Sequence, residues 1–325
     1  MKKWSMGIDL GGTKIYSIVA DEEMKILARA KISTPENATA EEIAGAMVET
    51  GKKALEEAGG SWEDVAYFGV ALPSPVDPET GEAILAANLA EKSFSMKEYL
   101  KQLTGKKEVF LANDANMGLL SEYVSGNAKG SRSAVGFWIG TGLGGSILLD
   151  GKILRGTGGL AGELGHMIIK AGGRKCSCGH KGCAEAYCSK KAFLKSIRKY
   201  MEKYEYTPLL PPEKFNSSTK NIKSKYLLRA YKEGDQAVIH AITEGAWALG
   251  IAAANTCALL APETIILGGG VITCLGREFL PVFEKSFSRH LSAMDSSLVK
   301  VRLAAHGDDA VALGAALFAR NGGKD

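Results

Sequence analysis

The sequence predicts an α/β protein built as two comparable halves. Three observations carry this. Short β-rich runs alternate with helical segments along the whole chain. Each half opens on a strand, a glycine turn and a second strand. The 325 residues exceed the ~100–200 of a typical domain, and a 46% hydrophobic content supplies ample apolar surface to bury.

Residues 6–10 (MGIDL) and 16–20 (YSIVA) read as strands joined by Gly11-Gly12-Thr13-Lys14, and residues 25–31 add a third, giving an antiparallel meander. Apolar residues then recur at helical spacing over 39–59 and stop at Gly59-Gly60. Residues 65–72 read as a buried strand ended by Pro73, 96–103 as a helix and 109–112 as a strand. In the second half, strands at 134–139 and 146–149 flank Gly140-Thr141-Gly142-Leu143-Gly144-Gly145, and the matching positions of the two glycine turns point to an internal duplication. Residues 204–225, with three prolines and a polar run, read as an exposed connection. Residues 234–260 read as a helix, 264–267 as a buried strand and 309–320 as a closing helix. The charge-free stretch 245–262 is near membrane-span length, but Asn255, Thr256 and Gly250 within it make a buried helix the expectation.

Composition narrows the function. Forty Lys and Arg against 36 Asp and Glu leave +4 with the signs interspersed, so neither a nucleic-acid face nor a membrane partner is expected. The opening MKKWSMGIDLGG lacks the apolar core of a secretory signal, and six cysteines are far below scaffold density. A reducing, cytoplasmic setting and small neutral or anionic ligands are expected.

Three glycine turns each leave a buried strand. In DLGGTK, Asp9 ends a strand, Gly11 and Gly12 leave backbone N–H groups open to phosphate oxygens, and Thr13 and Lys14 add a hydroxyl and an ammonium. Asp9 faces the same place and suits Mg²⁺ through water. The competing reading is a hairpin turn that merely needs positive φ. No Gly-Lys pair continues with Ser or Thr, which removes the Walker phosphate loop. Gly140, Gly142 and Gly145 satisfy G-x-G-x-x-G but run into the β-like SILLDG, where a dinucleotide site needs a helix. Gly268-Gly269-Gly270 offers bare backbone to a flat nucleoside. The simplest common ligand is a nucleoside triphosphate.

His166 and the run Cys176-Ser177-Cys178-Gly179-His180-Lys181-Gly182-Cys183 bring three thiols and an imidazole together, the ligands Zn²⁺ takes tetrahedrally. His180 rivals His166 as the fourth ligand, and buried free thiols are the alternative. A closed set of four ligands is structural. A histidine that binds metal through one ring nitrogen presents the other as a donor, and Glu163, His166 and Glu185 around such a knot suit a polyhydroxylated ligand. In Asn113-Asp114-Ala115-Asn116 a carboxylate sits between two amides where a strand gives way to a helix. Phosphoryl transfer to an alcohol needs a group that accepts the hydroxyl proton, which makes Asp114 the candidate base, with a simple helix N-cap as the alternative.

These motifs, in this order, resemble the ROK family (repressors, open reading frames and sugar kinases) of the sugar kinase, Hsp70 and actin superfamily. The likeness runs through DLGGTK, PVDPETG from Pro75, Asn88-Leu89, NDAN, IGTGLGG from Ile139, GELGH from Gly162, CSCGHKGCAE from Cys176 and PETIILGGGV from Pro262. It implies two ribonuclease H-like (actin-like ATPase) domains with a cleft between them that closes over the ligands and keeps water out. The smaller domain is expected over 1–116, joined by a C-terminal helix at about 308–325, and the larger over 117–307. The resemblance implies ATP-dependent phosphorylation of a hexose, foremost glucose, with an N-acetylhexosamine, fructose or another polyol as the alternatives and a non-catalytic sugar sensor as the other class. It makes Asp114 the catalytic base and gives the sugar to Asn88, Asn113, Glu163, His166 and Glu185. MgATP falls to Gly11, Gly12, Thr13, Thr141, Gly142, Gly268, Gly269 and Gly270. Zinc falls to His166, Cys176, Cys178 and Cys183. Repressor members carry an N-terminal helix-turn-helix, whereas five residues precede the first strand here, so an enzyme is expected, as a homodimer or a dimer of dimers. Pro73-Ser74-Pro75 departs from the family's Pro-Gly-Pro, residues 90–94 (AEKSF) depart from its Gly and Trp, and Ser146 replaces a common glycine.

Overall fold

Two five-stranded sheets organise the chain in a computed structural model that describes residues 2–83, 95–209, 222–291 and 295–325. The first sheet holds β1 (Trp4–Leu10), β2 (Lys14–Ala20), β3 (Ile26–Ser33), β4 (Val65–Leu72) and β5 (Phe110–Asn113) in the order β3-β2-β1-β4-β5. The meander β1–β3 is antiparallel, and β4 and β5 then join parallel to β1. The second sheet holds β6 (Ser133–Ile139), β7 (Leu143–Leu149), β8 (Lys152–Ile153), β9 (Thr264–Gly268) and β10 (Lys300–Leu303) in the order β10-β9-β6-β7-β8. Here β9 and β10 are the parallel additions beside β6. Counted from the first strand of each half, the two orders are identical, which is the architecture expected of duplicated ribonuclease H-like halves.

Helix α1 (Ala40–Glu57) starts where Thr39 and Glu42 form a capping box, each side chain accepting from the other residue's backbone N–H. It packs on one face of the first sheet, where Met6, Ile8, Phe68 and Val70 meet Met47 and Leu55. Helix α2 (Met96–Thr104), whose Ser95 cap accepts from Glu98 N, adds Met96 and Leu100 to the same core. The opposite face receives α8 (Ala310–Arg320), which is rich in alanine. A Cβ on Gly7 or Gly69 would overlap the α8 backbone at Ala312 or Ala315, so those strand glycines are what lets the helix lie flat against the sheet. Helix α3 (Asp114–Ser125) packs on α8 closely enough that a Cβ on Gly314 would overlap Met117.

The chain forms two compact units, divided elsewhere than at the expected 116/117. One takes the chain as far as Gly130, then Ile147–Ala161 and Asp309–Asp325; the other takes Ser131–Ser146 and Gly162–Asp308. Two long-range associations move the boundary. Packing on α8 keeps α3 in the first unit. Arg155 pairs with Asp325 at 2.5 and 2.8 Å, and Ile153 N–H donates to the same carboxylate at 3.0 Å, which ties 147–161 to the chain's last residues.

The second unit also contains α4 (Lys190–Tyr204), α5 (Ser224–Lys232), α6 (Gln236–Leu260) and α7 (Ile272–His290). Of these, only α6 is anticipated by the sequence pattern. It is long and apolar enough to cross a membrane by composition, but it packs against α4 and α7 with most of that stretch buried. Residues 205–209 of the expected connection leave α4 through Glu205 in a left-handed turn, and 210–221 lie outside the described residues.

Candidate functional site

In the first unit, parallel pairing puts Asp9 level with Ala71, Ala71 with Ala112, and Leu72 with Asn113. Asp9, near the end of β1, and Asp114, just past β5, therefore stand at the same edge of the sheet, at the carboxyl ends of its parallel strands, where ligands of open α/β sheets bind. The turn between β1 and β2 is closed by a Gly11 N–H to Lys14 O bond of 2.9 Å. Thr34 fastens it from β3's end: its hydroxyl donates to Gly11 O at 2.7 Å and its N–H to Thr13 O at 3.2 Å. Neither Gly11 nor Gly12 has positive φ, and a Cβ on Gly12 would meet nothing within 4 Å. The turn's geometry thus does not call for glycine at position 12, and the open space beside it is what a ligand needs. The Lys14 Nζ lies 5.1 Å from the centre of the Tyr16 ring.

Asn113, not Asp114, caps α3, its side-chain oxygen accepting from Asn116 N at 3.1 Å. Asp114 is the first helical residue, half-buried, where the aligned peptide dipoles favour an anion. Its Oδ1 accepts from Ala115 N at 2.7 Å and from Asn113 Nδ2 at 3.3 Å. Asn113 Nδ2 also lies 3.4 Å from Ser74 O. Ser74 Oγ is buried without a hydrogen-bond partner. Asn88 and residues 89–94, including the atypical 90–94, lie outside the described residues.

In the second unit, β6 and β9 run parallel with Trp138 beside Gly268, so the two later glycine turns leave the same sheet edge. They touch: Val271 N–H donates to Ile139 O at 3.1 Å, and Gly269, at φ +86°, passes so close to Ile139 that a Cβ there would clash with its backbone. The three glycines expected to act alike have separate reasons. The place of a side chain on Gly268 is filled by the Trp138 ring, Gly269 makes the turn, and only Gly270 faces open space. The first of these two turns is shorter than its sequence suggests. Strand β7 begins at Leu143, leaving Gly140, Thr141 and Gly142 as the turn, closed by Gly140 N–H to Gly142 O at 3.0 Å. The atypical Ser146 is buried and accepts from Trp138 Nε1 at 3.0 Å.

His166, Cys176, Cys178 and Cys183 converge, their ligand atoms all within 4.8 Å of one another. Cys178 and Cys183 sulfurs are 3.6 Å apart, and His166 Nδ1 is 3.7 Å from Cys176 Sγ. Zn–S bonds of about 2.3 Å set thiolate sulfurs about 3.8 Å apart on a tetrahedron, so the donor set and its spacing fit zinc. Backbone pairing builds the knot: Ile168 bridges Cys183, Lys175 bridges Lys181, and Cys176 N–H donates to His180 O at 2.8 Å. Gly182, at φ +93°, runs so close to Lys170 O that any side chain would overlap it. The His180 ring lies against Cys178, with Nδ1 3.7 Å from its sulfur, and is not in the four-atom cluster. The His180 backbone N–H and ring hold the exposed Cys178 thiol down at about 6, while burial pushes Cys183 up to about 12. The other three cysteines are free and lie elsewhere.

With Nδ1 turned to the thiols, His166 presents Nε2 on its other side, 3.9 Å from Glu163 Oε2. Glu185 is held within the unit at both carboxylate oxygens. Its Oε2 accepts from Leu143 N at 3.1 Å, and its Oε1 accepts from Ser177 Oγ at 2.8 Å. Sequence patterns had pointed to neither Thr34 nor Ser177. Thr34 lies 23 residues from the carbonyl it binds, and Ser177 sits between two cysteines whose spacing does not depend on it.

The ROK family model matches residues 5–321. The chain belongs to the ROK family. A glucokinase of Thermotoga maritima is 32% identical over 281 residues, 86% of each chain. The structure of a ROK family glucokinase from Streptomyces griseus in complex with glucose and AMPPNP is similar at a TM-score of 0.85 and 31% identity, covering 98% of this chain and 99% of that one. A ROK hexokinase from Thermus thermophilus is similar at a TM-score of 0.76 and 30% identity, covering 98% of both chains. The fold of this ROK chain is accordingly the two-domain, actin-like ATPase fold.

Proposed function

We propose that this ROK protein is a cytoplasmic, ATP-dependent hexose kinase of glucokinase type. The observation that carries the proposal is the placing of Asp114 at the start of α3: Asn113 makes the cap, and the Asp114 carboxylate, held by Ala115 N and Asn113 Nδ2, stands half-buried at the helix N-terminus just past the end of β5. Relatives near 30% identity that span the chain and are glucokinases support the substrate class. Asp114 orients a sugar hydroxyl and takes its proton as that oxygen bonds to the γ-phosphorus and ADP departs. Asn113, Glu163, His166 and Glu185 hold the sugar's other hydroxyls. Gly11, Gly12, Thr13, Thr141, Gly142 and Gly270 offer backbone to the nucleotide and its phosphates, and Asp9 holds Mg²⁺ through water. Mg²⁺ neutralises phosphate charge when bound. Zn²⁺ on His166, Cys176, Cys178 and Cys183 is structural, fixing the His166 ring so that Nε2 faces the sugar.

ADP release measured over a panel of aldohexoses, N-acetylhexosamines and ketohexoses tests this, with glucose expected as the best substrate. Silence on every sugar, with sugar binding retained, would assign a sensor instead. A Gly12→Val variant is expected to keep its stability, since a Cβ at this exposed position meets nothing within 4 Å, and to raise KM for ATP by about tenfold or more through blocked phosphate approach. An unchanged KM would remove Gly12 from the nucleotide site.

A further inference from the structure

We propose that Ser177 is a positioning residue, which acts by holding Glu185 in place between the cysteine knot and the second glycine turn. The inference rests on the sugar-kinase reading for its effect on substrate, but its geometry stands apart from that reading. Ser177 lies between two cysteines of the knot, so its own side chain is free for another task. Its hydroxyl donates to Glu185 Oε1 at 2.8 Å, while Glu185 Oε2 accepts from Leu143 N, the first amide beyond Gly142, at 3.1 Å. Glu185 Oε2 also occupies the space a Gly142 side chain would take. One carboxylate thus spans from the knot to the turn, and Ser177 grips its other end.

Cys176 Sγ lies 3.6 Å from Glu185 Oε1 and, as a thiol, donates to it. Ser177 Oγ, 3.9 Å from Cys176 Sγ and 2.8 Å from Glu185 Oε1, is the closer donor and holds that carboxylate oxygen in place. A carboxylate has about four acceptor sites, so the bonds to Ser177 and Leu143 leave room for a sugar hydroxyl, and they fix the direction from which it is met.

Ser177→Ala and Ser177→Thr, made in the full chain with its metal, test the proposal. Ser177→Ala is expected to raise KM for the sugar by about tenfold, the loss of one hydrogen bond to a charged group, with kcat within about twofold of wild type. Its metal content is expected to stay at the wild-type value, and deuterium exchange at the Leu143 amide is expected to quicken. Ser177→Thr, which keeps the hydroxyl, restores both KM and exchange. Unchanged KM and unchanged Leu143 exchange in Ser177→Ala would overturn the proposal, as would a threonine variant that behaves like alanine or a KM effect that follows loss of metal. If the wild-type protein phosphorylates no sugar, the kinase reading fails on its own, and the exchange measurement still decides the role of Ser177.

Discussion

Asp114→Asn is expected to bind hexose at near wild-type affinity and to lose about 10³-fold in kcat, within the 10²–10⁴-fold contribution of a positioned proton acceptor. The substitution isolates the proton. Asparagine keeps the size of the side chain and the oxygen that accepts from Ala115 N at 2.7 Å, while the helix cap belongs to Asn113 and is untouched. The amide, however, does not take up the hydroxyl's proton as the new bond forms. Thermal unfolding and sugar titration on the variant serve as controls, and single-turnover phosphorylation reads the chemical step. A kcat within a few-fold of wild type would remove Asp114 from the role of base. A collapsed sugar affinity with intact turnover at saturation would make it a binding residue only.

Removing the metal is the second large effect expected. Cys178 is the informative ligand to replace, because it is exposed and its loss costs little packing, unlike the buried Cys176 and Cys183. Cys178→Ser is expected to lower metal content from about one per chain, to open residues 167–185 to protease, and to weaken sugar affinity by about 10–100-fold. The physical reason is the shortness of the knot's own structure. Single β-bridges at Ile168–Cys183 and Lys175–Lys181, turns at Gly179 and Gly182, and brief helical turns around His166 and Glu185 bury little apolar surface. Few local contacts remain to hold the His166 ring and the Glu185 carboxylate once the ligands part. Chelated wild-type protein should behave likewise and recover on adding Zn²⁺. Metal-free protein with unaltered sugar affinity would separate the knot from the sugar site.

The local signals in the chain were legible where one stretch of residues decides its own conformation. Alternating apolar runs and the glycines between them located the strands that open each half, and the apolar residues recurring over 39–59 marked a helix, which the structure starts at the Thr39 capping box. The helices at α4, α5 and α7 were less legible, because their lysines, tyrosines and phenylalanines have an amphipathic pattern that only a packed neighbour makes meaningful. Within the site, residue types revealed candidates and could not rank them. NDAN held both a cap and a carboxylate, and the backbone direction at Asn113 separated the two.

The sequence by itself determined the α/β class, the duplicated strand–glycine–strand plan, the family and the three thiols and two histidines from which a metal site could be drawn, since each depends on residue type at short spacing. The tertiary structure alone decided which histidine joins the thiols, which of three adjacent glycines faces open space, that Thr34 fastens the first turn, and that α3 and residues 147–161 belong with the first sheet. Those outcomes turn on groups tens to nearly two hundred residues apart, such as Arg155 and Asp325. No local preference encodes such a meeting; it follows from the order in which strands join a sheet and from which helix has room to pack on it.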